Sequence, residues 1–138
     1  MTRLTYIASP YSHPTPEMRQ QRANEATGFV AWAMKQGVMY PISPIAHSHE
    51  ASVRCDLPTD AAWWQAYNHA LFAACGSCCL LALHGWRESV GVAQELRWAR
   101  NYDKPLVVAQ ITADGYALLF GAEAWEWVDR HKKMTPPK

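Results

Sequence analysis

The run Ser77-Cys78-Cys79-Leu80-Leu81-Ala82-Leu83 is apolar at every position after its first and carries no charge. A strand of that kind has no face to give to water, so both of its faces must be covered. Strands covered on both sides belong in the middle of parallel sheets, with helices packed above and below. The surrounding chain supplies the other strands. Residues 4–9 (LTYIAS) form a short apolar, β-branched and aromatic run stopped by Pro10, which predicts a buried first strand. Residues 38–40 and 106–110 predict two more, the former ended by Pro41 and Pro44, the latter introduced by Lys104-Pro105.

Helical spacing fills the gaps between these runs. Ala23, Ala26, Phe29, Val30, Ala33 and Met34 recur at helical intervals, with Pro16 and Glu17 as a start signal and Gly37 as the stop. Residues 60–74, capped by Thr59 or Asp60, and residues 90–102 predict two further helices. Residues 45–59, with mixed polarity and two histidines, read as a long functional loop. Residues 113–133 read as helical with a break near Gly121, and 134–138 as a disordered tail. Strands alternating with helices over residues 1–133 predict a single-domain, three-layer α/β fold of Rossmann or flavodoxin type. Its sheet should hold four to five parallel strands joined by right-handed crossovers. Ligands of such sheets sit beyond the carboxyl ends of the strands, which gathers the segments SPYSH, PISPIAHSH and HGWRESVG at one rim.

Composition narrows the partners. The 138 residues carry 13 basic against 12 acidic side chains, a net charge of +1, and no basic run beyond Lys132-Lys133. A footprint for long nucleic acid is therefore not expected. No stretch reaches the roughly 20 apolar residues of a membrane span, and no secretory segment is evident, so the chain reads as soluble and cytoplasmic. Cys75-x-x-Cys78 has the spacing of half a zinc site, but no second pair follows. Cys78 and Cys79 would point to opposite faces of a strand, so the cysteines read as reduced core residues and no metal is expected. A dinucleotide-binding enzyme would need G-x-G-x-x-G after the first strand, where this chain has SPYSHP. No cofactor is expected. Seven tryptophans in so short a chain suggest apolar surface that one core cannot hide, and hence a homodimer or larger homo-oligomer.

Candidate chemistry concentrates in Gly85-Trp86-Arg87-Glu88-Ser89-Val90-Gly91-Val92-Ala93-Gln94-Glu95. Ser89 and Gly91 begin a helix that follows the central strand, where free N–H groups and the helix dipole favour an anion. Glu95 lies one to two turns further on, on the side set by Gly91. The alternative is a solvated glutamate in a helix that Ser89 merely caps. His47 and His49 could hold a base or phosphate, or simply make one backbone hydrogen bond each. Trp63, Trp64 and Trp86 could stack on a nucleobase, although Trp63 and Trp64 cannot face the same way on one helix.

Tyr6-Ile7-Ala8-Ser9-Pro10-Tyr11, His47-x-His49 and Ser89-x-Gly91-x-x-x-Glu95, in that order, resemble the nucleoside 2-deoxyribosyltransferase superfamily. The serine form of the last motif looks most like the 2′-deoxynucleoside 5′-monophosphate N-hydrolases. A closer likeness, over residues 6–107, is to an uncharacterised branch with SPYSHP, PIAHSH and GWxxSxGVxxE. The resemblance implies that Glu95 is a nucleophile attacking the anomeric carbon of the sugar, with retention, and that Tyr6 lies near it. It implies that Ser89 contacts a 5′-phosphate, and that Ser9, Pro10, Tyr11, His47, His49, Trp86 and Gly91 surround the substrate, a small nucleotide or nucleoside.

Two positions depart from the family pattern. Asn68 stands where the family usually has an aspartate, and Gly76 replaces another. Asparagine can orient a hydroxyl or the nucleophile, but it cannot act as an acid. The expected function is thus N-glycosidic hydrolysis, or deoxyribosyl transfer, on a nucleoside 5′-monophosphate. Its rival is a catalytically inactive nucleotide-binding module of the same fold.

Overall fold

A computed structural model of the protein describes residues 3–132; the domain end expected at residue 133 and the tail at 134–138 lie outside the described residues. Strand β1 (Leu4–Ala8) leads into helix α1 (Pro16–Gln36), capped by Thr15 and closed by Gly37 at φ 67°. Strand β2 (Tyr40–Ile42) is followed by helices α2 (Pro44–Arg54) and α3 (Ala61–Ala74), then by strand β3 (Ser77–Leu81). A short 3₁₀ turn (Trp86–Glu88) precedes helix α4 (Val90–Asn101). Strand β4 (Leu106–Thr112), strand β5 (Gly115–Phe120) and helix α5 (Gly121–Lys132) complete the chain.

The sheet order is β2-β1-β3-β4-β5, with β1, β2, β3 and β4 parallel. Every residue of β3 is buried, as its apolar run requires. Cys78 joins the core beneath α3, α4 and α5, with Tyr6, Phe72, Leu80, Val92, Leu96 and Trp127. Cys79 joins the opposite core beneath α1, with Ile7, Phe29, Ala33 and Leu81. The neighbouring thiols thus serve two layers, and the fold is a three-layer α/β domain. No described helix is long and apolar enough to cross a membrane.

Three expectations give way. Residues 45–59 are mostly helix rather than loop: Ser43 Oγ accepts from Ala46 N at 3.1 Å and Pro44 occupies the first helical position. Residues 113–133 are not one interrupted helix, because residues 115–120 form β5. That strand pairs antiparallel with β4 across the turn preceding Gly115, so the sheet is not parallel throughout. The Asp114-Gly115 pair between apolar runs is the hairpin signal that decides it. Strand β2 runs through Pro41 instead of stopping there, which an edge strand tolerates because one side of it needs no ladder partner.

Candidate functional site

The chain leaves β1 toward β2 on one side and returns to β3 on the other, so the sheet has its switch point between β1 and β3. Crevices form there beyond the carboxyl ends of the strands. A cleft of about 590 Å³, open mouth included, occupies that place. A second lobe of about 520 Å³ lies between α3 and α4. Asn68, Gly91 and Glu95 line both lobes and form the ridge between them.

Three helices present the same geometry to the cleft. Ser48 and Ser52 on α2, Trp64 and Asn68 on α3, and Gly91 and Glu95 on α4 are each four positions apart, one above the other on a single helix face. The α2 face continues with Ile45 and His49. His47, two positions from His49, falls on the far side of α2 and is exposed. The loop after β1 adds Ser9, Tyr11 and Ser12.

Glu95 is only 8% exposed although it carries a carboxyl group. The hydroxyl of Tyr6, itself fully buried, donates to Glu95 Oε2. Burial raises the Glu95 pKa to about 8, and the Tyr6 hydrogen bond opposes that rise by favouring the carboxylate. Burial, with the nearby Glu95 charge, raises Tyr6 well above its ordinary value, so Tyr6 stays a phenol and a donor. A carboxyl group poised near neutrality in a cleft can serve as nucleophile, base or acid.

Two polar atoms beside it are left over. Ser9 Oγ and Asn68 Oδ1 are buried, border the first lobe, and have no hydrogen-bond partner. Unpaired buried polar atoms are costly, so their gathering on a cavity wall marks a place built to receive polar groups. Tyr11 Oη, which borders the same lobe, lies 2.7 Å from His49 Nδ1. Trp64 offers a ring whose Nε1 is tied to Pro58 O at 2.7 Å. Among the described residues no lysine or arginine lines either lobe.

The remaining sequence candidates lie elsewhere. Ser89 caps α4, its Oγ accepting from Val92 N at 3.2 Å, and it borders neither lobe. Pro10 is buried between Ser9 and Tyr11 without bordering either lobe. Trp86 is core: it stacks on Trp127 with ring centroids 5.5 Å apart. Of the α3 pair, Trp64 meets the cleft and Trp63 is exposed. Ser12, Ile45, Ser48, Ser52, Thr59, Gln65 and Gln94 line the lobes without having been singled out in the sequence. Reading residues 44–54 as a helix from Ser43-Pro44 would have recovered those on α2.

Fold and cleft together define a doubly wound, single-domain α/β protein with a small-molecule-sized cavity at its switch point. Within that class, a family model described as a domain of unknown function (DUF1937) matches residues 3–111. The chain belongs to that family, and the match runs from β1 through most of β4, covering both lobes of the cleft. None of the curated proteins compared with the chain matches it.

Proposed function

We propose that this protein cleaves the N-glycosidic bond of a nucleoside 5′-monophosphate, with Glu95 as the nucleophile. One observation carries the reading: a buried glutamate, hydrogen-bonded by a buried tyrosine, faces a two-lobed cleft at the switch point. In the first step a Glu95 carboxylate oxygen attacks the anomeric carbon as the bond to the base breaks. In the second, water attacks the same carbon and returns the carboxylate, which gives net retention. A second base in place of water would make the reaction a deoxyribosyl transfer. Tyr6 fixes the carboxylate through Oε2 and leaves Oε1 for the sugar. The oxocarbenium-like transition state favours the ionised carboxylate that the free protein holds back. A 5′-phosphate would rely on neutral donors and on the first turn of α4.

The binding-module reading has support of its own. Asn68 presents an amide where a proton donor would be useful, and its Oδ1 is unpartnered at the cleft. Incubation with a panel of nucleoside monophosphates separates the two. Release of free base by wild type, lost by about a thousandfold or more in Glu95→Gln, supports the N-glycosidase. Binding without release in wild type supports the module. Self-association belongs to the same proposal, since Trp63 and Tyr67 on α3 and Val90 at the start of α4 are 51%, 43% and 73% exposed. Light scattering at twice the chain mass or more is the expected result.

A further inference from the structure

Tyr11 and His49 form a chain of hydrogen bonds that the attack by Glu95 does not use. Tyr11 Oη lies 2.7 Å from His49 Nδ1, and His49 Nε2 lies 3.0 Å from Gln20 Oε1. Gln20 Nε2 donates to Asn24 Oδ1 at 2.9 Å, which turns the amide oxygen of Gln20 toward the histidine. An amide oxygen only accepts, so His49 Nε2 carries the hydrogen. In the neutral ring Nδ1 is then the acceptor, and the Tyr11 hydroxyl donates to it. Buried Ser52, one turn beyond His49 on α2, lies near enough to the Tyr11 hydroxyl to lower its pKa. Burial lowers the His49 pKa; Arg19 on α1 lowers it further, and Glu50 on α2 opposes both. Burial raises Tyr11, against the pull of Arg19 and Ser52.

A nucleobase leaves poorly as an anion and needs a proton on the departing nitrogen. Asn68 cannot give one. Tyr11 and His49 both border the first lobe, which Glu95 also lines.

We propose that Tyr11 and His49 are the acid–base relay of this site, Tyr11 passing its hydroxyl proton to the departing base and His49 replacing it. The inference rests on the N-glycosidase reading. Protonation of His49 at Nδ1 reverses the bond to Tyr11: Nδ1–H now donates to Oη, and the phenol hydrogen is free for the cleft. As the C1′–N bond breaks, its electron pair moves onto nitrogen, and Glu95 bonds to C1′. That nitrogen takes the Tyr11 hydrogen while Tyr11 takes the His49 hydrogen. Water then attacks C1′, and the bond to Glu95 returns its pair to the carboxylate. The proton lost by water passes through Tyr11 to His49, which restores the starting state. Gln20 touches no substrate and is a positioning residue that fixes the tautomer of His49.

The test compares a nucleoside monophosphate with the 4-nitrophenyl glycoside of the same sugar phosphate, whose phenolate departs without a proton. Tyr11→Phe and His49→Gln should each lose about a hundredfold more activity on the nucleotide than on the aryl glycoside, the usual scale for an acid catalyst. Glu95→Gln should lose both substrates alike. Measurable aryl-glycoside cleavage by either variant also establishes that it has folded. Equal losses on the two substrates overturn the relay, as does full nucleotide activity in Tyr11→Phe. Wild type that cleaves the aryl glycoside but no nucleotide also overturns the relay while leaving the Glu95 chemistry standing. Wild type that cleaves neither overturns the N-glycosidase reading and the relay with it.

Discussion

Tyr6 and Glu95, 89 positions apart in sequence, meet under the sheet's switch point, the tyrosine hydroxyl donating to the glutamate carboxyl. Tyr6 sits on β1 and also packs edge-on against Phe72, with ring centroids 5.2 Å apart. Its ring is thus held by α3 while its hydroxyl is spent on α4. One residue ties together the strand and the two helices that shape the ridge between the lobes.

Keeping Glu95 buried has a cost that depends on pH. The folded protein holds the proton up to about 8, whereas the unfolded chain releases it near 4.5. Between those values the unfolded state binds fewer protons, so raising the pH favours unfolding. The contribution is fully present below pH 4.5 and is lost as the pH rises through 8, at about 1.4 kcal/mol per pH unit at most. Glu95→Gln removes this slope. Thermal denaturation of both proteins from pH 5 to 8.5 should show the variant gaining on wild type as the pH rises. Parallel curves would mean that Glu95 ionises normally.

The rate profile follows from the same pKa combined with the Tyr11–His49 relay. On a 4-nitrophenyl glycoside only Glu95 must change state, so kcat/KM should rise with pH and level above about 8. On a nucleotide His49 must also be protonated, and its pKa lies below the ordinary histidine value. Between the two pKa values each gain in ionised Glu95 is cancelled by a loss of protonated His49. The nucleotide profile should therefore be flat across that window and fall above about 8. A nucleotide profile that climbs like that of the aryl glycoside would remove His49 from the proton path.

Much of this arrangement was legible in the sequence, and the rest was hidden for definite reasons. The apolar run 77–83 called for a covered parallel strand, and Gly91 and Glu95 are one helical turn apart wherever the helix goes. Tyr6 could be put near Glu95 only by resemblance, because nothing local links β1 to α4. Helix α2 was missed because Pro44, which opens it, read as the stop of the preceding strand, and the mixed polarity that follows read as loop. Strand β5 was missed because only part of each of its side chains is covered at the sheet's edge, leaving no clean alternation. Trp86 invited a stacking role by lying next to the motif. Its partner Trp127 is 41 positions away on α5, beyond the reach of local pattern.

Ser89 separates recognition from chemistry. Its Oγ accepts from Val92 N, so the side chain supports α4 as a cap, but its own hydrogen remains to be given. Ser89→Ala would confuse the two roles, because losing a serine cap costs about 1 kcal/mol of stability. Ser89→Gly removes the same hydroxyl and costs only a few tenths of a kcal/mol at a cap. If Ser89 helps the first turn of α4 hold a phosphate, the glycine variant should bind a nucleoside monophosphate more weakly by about 1–3 kcal/mol, the range for a hydrogen bond to a charged group. Its affinity for the free nucleoside should barely change. Calorimetric titration of both ligands against both proteins gives the comparison. Equal weakening for nucleotide and nucleoside would mean that Ser89 acts only through the helix it caps, and the phosphate would then have to be met by the hydroxyls of the first lobe.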